Sequence, residues 1–132
     1  MHFLAYIIVY PFLWLISILP FRLLYLFSDG LYVLLYHVVG YRKKVVNSNL
    51  RLVFPDKPET EIKRIRKVFY HHLCDMIVES VKSMTISEAE IKKRFTFSNV
   101  ELLQDIETSG KSIALMCAHY GSWEWIFILQ NQ

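Results

Sequence analysis

Residues 112–129 read SIALMCAHYGSWEWIFIL and open with a short, continuous apolar run, SIALMC (112–117). Such a run is typical of a strand that is buried on both faces, as in a parallel sheet. A loop, AHYG, follows it, and the apolar WEWIFIL then predicts a helix. This order of strand, loop and helix indicates an α/β fold whose sheet begins in this segment.

The residues upstream predict three helices and one short strand. The segment DKPE (56–59) has the features of a helix start, and that helix should run to about Met84. SEAE (87–90) is a capping box, FTF (95–97) alternates as a strand does, and 98–110 forms a third helix closed by a glycine. The predicted buried stripe of the long helix comprises Ile62, Ile65, Phe69, Leu73, Met76 and Ile77.

At most two predicted strands precede Gln132, and the pattern of the last helix is still running there. Two strands do not make a self-sufficient sheet. We therefore expect the chain to be the N-terminal part of a longer α/β protein, with an incomplete sheet. Dependence on a partner chain is the alternative.

The N-terminus is apolar over a length that matches a bilayer. Residues 3–21, FLAYIIVYPFLWLISILPF, contain no charged side chain, and about 20 apolar residues cross a bilayer as a helix. Pro11 is tolerated better in a membrane helix than in a soluble one, and no signal-peptide cleavage site follows. A second apolar run is interrupted by Asp29, so it should lie along the interface or pack on the body. Alternatively, these apolar N-terminal residues form a core helix of a soluble domain.

The charge pattern also indicates a membrane anchor. Residues 1–40 have a net charge of 0, residues 41–67 carry nine Lys and Arg against three Asp and Glu, and residues 68–132 carry five against eight. The basic segment YRKKVVNSNLRLVF (41–54) predicts an amphipathic helix that suits anionic lipids, although a solvated charged face fits it as well. We therefore divide the chain into an anchor with an interfacial helix, 1–40, and the start of a catalytic domain, 41–132. The basic residues place that domain on the cytoplasmic side.

Composition excludes several classes of protein. The chain is 54% apolar, which excludes a disordered chain, and its two cysteines are too few for a disulfide-stapled secreted domain. A net charge of +3 gives no reason to expect nucleic acid as a partner. There is no Gly-rich phosphate loop and no serine nucleophile elbow, so we predict no cofactor.

The candidate catalytic residues are His119 and Glu124. Both lie where the predicted strand ends and the next helix begins, which is where open α/β sheets place their sites. The carboxylate can accept one ring N–H and leave the other nitrogen as a base. Such a pair deprotonates an alcohol, which then attacks an activated acyl group without a protein nucleophile. Alternatively, the two residues have structural roles only, with the glutamate capping the helix beside a structural histidine.

Two other groups of side chains have less support. His71, Asp75 and Glu79 share one face of the long helix with Cys74 nearby, but zinc usually needs better-spaced ligands, so we predict a polar face and no metal. Cys117 could be a nucleophile, yet in an apolar strand it is expected to be a buried structural thiol.

The segment ALMCAHYGSWE (114–124), with its H-x-x-x-x-E, resembles the first conserved block of the lysophospholipid acyltransferase superfamily. It is most similar to the lipid A biosynthesis acyltransferases, the bacterial lauroyl and myristoyl transferases. Three other segments fit the same family and follow in order along the chain: LPFRLLYLFSDGLYVLLYHVVGYRKKVVNSNLRLVFPD, KVFYHHLCDMIVES and NVELL…GKSIALMCAHYGSWE.

The resemblance implies an inner-membrane enzyme with an α/β body in the cytoplasm. Its members move a fatty acyl group from acyl carrier protein to a hydroxyl of a lipid A precursor, so membrane lipids, the carrier and the precursor are the expected partners. In the matched motif His119 would be the general base, and Glu124 would orient it. A lysophospholipid or amino-acid-based lipid as acceptor, and a non-catalytic membrane-anchored interaction protein, are the alternatives.

Overall fold

The computed structural model describes residues 2–114, 116–118 and 120–126, with side chains from residue 6 onward. Six α-helices follow one another, and α2 continues directly into a π-helical segment, Val33–Val39. The α-helices are α1 His2–Ile18, α2 Phe21–Tyr32, α3 Lys43–Val53, α4 Glu59–Lys82, α5 Glu88–Arg94 and α6 Val100–Thr108. A short 3₁₀ turn at 123–126 ends the described chain.

The predicted α/β fold is wrong for the part of the chain that the structure describes, which contains no β-strand. The described residues of the predicted strand, 112–114 and 116–117, have no regular secondary structure and are exposed, Met116 by 93%. FTF (95–97) is likewise irregular. A strand buried on both faces needs neighbouring strands for its backbone N–H and C=O groups. No described segment supplies one, so an apolar run alone does not produce a sheet.

Helices α2 and α4 run antiparallel and are joined by polar pairs. The pairs are Tyr25 with Glu79, Ser28 with Asp75, and Asp29 with His71. The Tyr25 and Ser28 hydroxyls each donate to a carboxylate oxygen at 2.6 Å, and His71 Nδ1 lies 3.7 Å from Asp29 Oδ1. We call these six residues the polar seam. Because all six lie at i, i+3 or i, i+4 spacing within their own helix, each helix presents its polar groups as one stripe.

Two apolar clusters lie beside the polar seam. Tyr32, Tyr36, Tyr70 and Cys74 form the first, and Ile16, Leu24 and Val78 form the second. Burial raises the pKa of both the Tyr70 hydroxyl and the Cys74 thiol. These clusters hold α1, α2 and the π-helical segment against α4, which is therefore the central helix of the described fold.

The buried face of α4 differs from the predicted stripe. Its buried residues are Ile62, Tyr70, Cys74, Val78 and Lys82, whereas Phe69 and Ile77 are about two-fifths exposed. Lys82 is buried because its ammonium group donates to the carbonyls of Ser17 and Leu19, at 2.7 and 2.8 Å. A cation on the unpaired carbonyls at the end of α1 satisfies groups that the helix itself cannot.

The N-terminal helices leave much apolar surface uncovered. Helix α1 ends at Ile18, before Pro20, so it is shorter than the predicted span over 3–21. By length and composition one described helix, Phe21–Val39, could cross a membrane, with a mean hydropathy of 1.2. Exposed side chains that are large and apolar include Ile8, Phe12, Leu15, Leu26, Val38 and Leu52. Apolar surface of this extent marks a membrane or protein contact.

Several locally encoded features are confirmed. Helix α4 begins at Glu59, directly after Pro58, and ends at Lys82. The Ser87 hydroxyl accepts the backbone N–H of Glu90 at 3.2 Å, which caps α5 as the capping box predicts. Helix α6 is followed by Gly110 with a φ of +72°, a left-handed position that glycine adopts without strain.

Candidate active site

The motif segment, which we define as residues 116–126, reaches back onto the C-terminal half of α4. Three hydrogen bonds join them: the Ser122 hydroxyl to the Glu79 carboxylate, the Ser80 hydroxyl to Glu124, and the Trp125 indole to Ser83. The indole ring of Trp125 is buried, so the segment also gains an apolar contact. Helix α4 is thus the platform that positions the motif segment.

Glu124 lies in the 3₁₀ turn and is partly buried. Its Oε1 accepts a hydrogen bond from the Ser80 hydroxyl at 3.2 Å. A carboxylate held by one hydroxyl keeps lone pairs free to accept from a further donor, such as an imidazole N–H. His119, the predicted base, lies outside the described residues, so its pairing with Glu124 stays a prediction. Its described neighbours Ala118 and Tyr120 are exposed.

An apolar cavity of about 510 Å³ lies between the start of α6 and the motif segment. It lies within the size range of small-molecule sites, which is roughly 300–1,000 Å³. The aromatic and aliphatic part of its lining includes Phe95, Phe97, Leu103, Met116, Trp123 and Ile126. Ala118 and Tyr120, the sequence neighbours of His119, also line it. An alkyl chain suits such a lining.

A second, more polar cavity of about 440 Å³ lies where α2, α4 and the end of α5 meet the motif segment. Tyr25, Glu79, Arg94 and Ser122 line it. The Arg94 guanidinium lies 3.6 Å from the centre of the Phe21 ring, and its Nε donates to Glu90 at 3.0 Å. Arg94 therefore already has both an aromatic and an acidic partner.

The other side chains considered for chemistry are engaged differently. His71, Asp75 and Glu79 all belong to the polar seam, and His71 also stacks on Tyr32 at 3.5 Å between ring centres. Among the described residues, no three His, Cys, Asp or Glu side chains are grouped as a metal site. Cys117 is exposed, so the prediction of a buried thiol is wrong.

Sequence reasoning named Glu79 only as part of a polar face, and it did not name Ser80 or Ser83; it assigned none of the three the role of holding the motif segment. Glu79 and Ser80 end the segment KVFYHHLCDMIVES, one of the segments that carry the family resemblance. Their spacing on one helical turn was a usable signal, because residues three and four apart share a face. Their partners lie more than 40 residues away in sequence, which no local pattern indicates.

An apolar cavity beside a segment with ionisable side chains is the arrangement of a protein that acts on an apolar ligand. A family model described as bacterial lipid A biosynthesis acyltransferase matches residues 1–132. The chain therefore belongs to this family, whose class of activity is acyl transfer, and the resemblance drawn from the motif is confirmed. No curated protein and no solved structure matches the chain.

Proposed function

We propose that this chain works as a membrane-bound acyltransferase that moves a fatty acyl group from acyl carrier protein to a hydroxyl of a lipid A precursor. The observation that carries the proposal is the apolar cavity, whose lining includes Ala118 and Tyr120, the sequence neighbours of His119, and Trp123, the sequence neighbour of Glu124. Glu124 itself is held by the Ser80 hydroxyl. Membership of the family supports the reaction class. The apolar cavity would take the acyl chain, and the motif would act at its mouth.

In the proposed reaction His119 takes the proton from the acceptor hydroxyl. The acceptor oxygen then forms a bond to the acyl carbon, and the bond from that carbon to the carrier breaks. The carrier leaves with the electron pair and receives a proton. Glu124 accepts a ring N–H of His119, which fixes the imidazole and stabilises its charged form. No acyl-enzyme forms, so Cys117 has no part in the reaction.

The proposed location is the inner membrane, with residues 41–132 on the cytoplasmic side and residues 1–40 as the membrane anchor and interfacial helix. Support comes from the exposed apolar surface of α1 and α2, and from α3, which has both exposed basic and exposed apolar residues. Arg42 and Lys44 would meet anionic lipid headgroups, each contributing about 1 kcal/mol near an anionic surface.

The location is tested by flotation of the chain with vesicles that contain anionic lipid. Replacing Arg42 and Lys44 with glutamine should weaken binding, at about fivefold per lost charge. The matched control replaces Lys63 and Lys67, two exposed lysines of α4, and should bind as the wild type does. Equal weakening by both pairs of substitutions would mean that binding depends on the total charge of the chain, and not on the position of Arg42 and Lys44.

The chemistry is tested with the full-length gene product in detergent, by following acyl transfer from acyl carrier protein to a lipid A precursor. Removing a general base typically costs ~10²–10⁴ in rate, and we expect this loss for His119→Ala. Glu124→Ala should cost a similar or smaller factor, and the double variant little more than His119→Ala, because the two residues act as a unit. Cys117→Ala is the control and should retain most activity. A folded Cys117→Ala variant without activity would indicate a covalent route instead.

A further inference from the structure

Glu79 connects three parts of the fold through one carboxylate. It lies on α4, its Oε1 accepts the Tyr25 hydroxyl of α2 at 2.6 Å, and its Oε2 accepts the Ser122 hydroxyl of the motif segment. Both carboxylate oxygens are therefore engaged by hydroxyl donors from different elements. A carboxylate that accepts two hydroxyls in a partly buried site makes charge-assisted bonds, which are stronger than neutral ones.

Ser122 lies inside the H-x-x-x-x-E motif, two residues before Glu124 and three after His119. The next residue of α4, Ser80, donates to Glu124 itself. Consecutive residues of one rigid helix thus hold two positions of the motif. A helix is a more precise support for a site than a loop is, because packing fixes its side chains.

From this geometry we infer that Glu79 is a positioning residue, which clamps the motif segment to α4 and α2 and so sets the place of Glu124. This inference rests on the proposed function, since it concerns the alignment of the same site. Glu79 would not exchange a proton with the substrate. Its effect would pass through Ser122, and a displacement of about 1 Å in a catalytic group can cost ~10²-fold in rate.

The kinetic test compares Glu79→Ala, Glu79→Gln and Ser122→Ala in the full-length gene product. We expect Glu79→Ala to lower kcat by ~10- to 100-fold while KM for both substrates stays within about threefold. Ser122→Ala should lower kcat in the same way. The Glu79→Ala/Ser122→Ala double variant should be no worse than Glu79→Ala, because the contact that Ser122→Ala removes is already lost in Glu79→Ala. Glu61→Ala is the matched control on α4. Its carboxylate pairs only locally with Arg64, so the wild-type rate is expected.

Glutamine separates positioning from proton transfer. Its amide keeps one oxygen acceptor and offers an N–H donor, so it can hydrogen-bond to both Tyr25 and Ser122. Partial rescue of kcat by Glu79→Gln supports the clamp. A Glu79→Gln variant as slow as Glu79→Ala would overturn it in favour of a proton-transfer role. A raised KM with unchanged kcat would overturn it in favour of direct substrate binding.

Amide hydrogen exchange tests the clamp independently of activity. In Glu79→Ala, exchange should become faster in the motif segment and stay unchanged in the first turns of α4 and in α5. If Glu79→Ala does not fold, Tyr25→Phe and Ser122→Ala each remove one hydroxyl and give the same readout. Unchanged exchange in the motif segment of these variants would overturn the inference. If the exchange changes as expected while His119→Ala keeps the wild-type rate, the clamp stands and the proposed reaction fails.

Discussion

Replacing Leu24 with alanine measures how firmly α2 is held to the rest of the fold. The Leu24 side chain is fully buried, with 0% exposure, and it contacts Ile16 of α1 and Val78 of α4. Deleting a buried leucine side chain costs 2–5 kcal/mol, from lost transfer free energy and from the cavity left behind, so we expect about 3 kcal/mol here. For a chain of this length each kcal/mol lowers the unfolding temperature by roughly 3–5 °C. The expected drop is therefore roughly 10 °C.

The same substitution at Leu26 is the matched control. Leu26 lies two residues further along α2 and is 66% exposed, so its truncation should lower the free energy of unfolding by less than about 1 kcal/mol. Thermal unfolding followed by circular dichroism in mild detergent compares the two variants. Equal losses in the free energy of unfolding would contradict this packing, because they would mean that both faces of α2 are buried to the same extent. Helix α2 would then not pack on α4 through Leu24 in particular.

Two further predictions concern polar pairs. Ser28→Ala leaves the partly buried Asp75 without its hydroxyl donor, and it should lower the free energy of unfolding by about 1.5–3 kcal/mol in the same assay. Ser48→Ala, at an exposed position of α3, is the control and should change the free energy of unfolding by less than about 0.5 kcal/mol. A loss equal to that of Ser28→Ala would contradict a stabilising role of the polar seam. The Arg94 hydrogen bond lowers the pKa of Glu90 below its usual 4.5. Glu90 therefore stays ionised to a lower pH in the folded state than in the unfolded state. Its contribution to the free energy of unfolding is fully present above the pKa of the unfolded state, and it is lost as the pH falls through the lower pKa of the folded state. The difference in unfolding temperature between wild type and Glu90→Gln should shrink on acidification, and a constant difference would contradict this.

The features that sequence predicts well are those encoded within a few residues. The start of α4 follows from Pro58 and Glu59, and the cap of α5 follows from Ser87 and Glu90, because each feature depends on neighbours within one helical turn. The glycine that follows α6 belongs to the same class, since a left-handed residue at a helix end is a local requirement.

The features that sequence misses depend on distant partners. An apolar run such as 112–117 fits a buried strand only if other strands flank it, and the described residues supply none. The buried face of α4 includes Lys82, which apolar periodicity would place in solvent. Lys82 is buried because carbonyls at the end of α1 accept hydrogen bonds from its ammonium group. The Ser122–Glu79 pair spans 43 residues, so neither hydrophobic pattern nor motif spacing indicates it.

We propose that the H-x-x-x-x-E motif transfers an acyl group to a lipid hydroxyl. The most direct measurement is the mass of the lipid A precursor after incubation with acyl carrier protein carrying a fatty acyl group, with the full-length wild type and with His119→Ala. We expect the wild type to add one acyl chain to the precursor. At equal amounts of folded protein, the rate of His119→Ala should be lower by a factor of ~10²–10⁴. A wild-type rate for His119→Ala would contradict the proposed role of His119 as the general base.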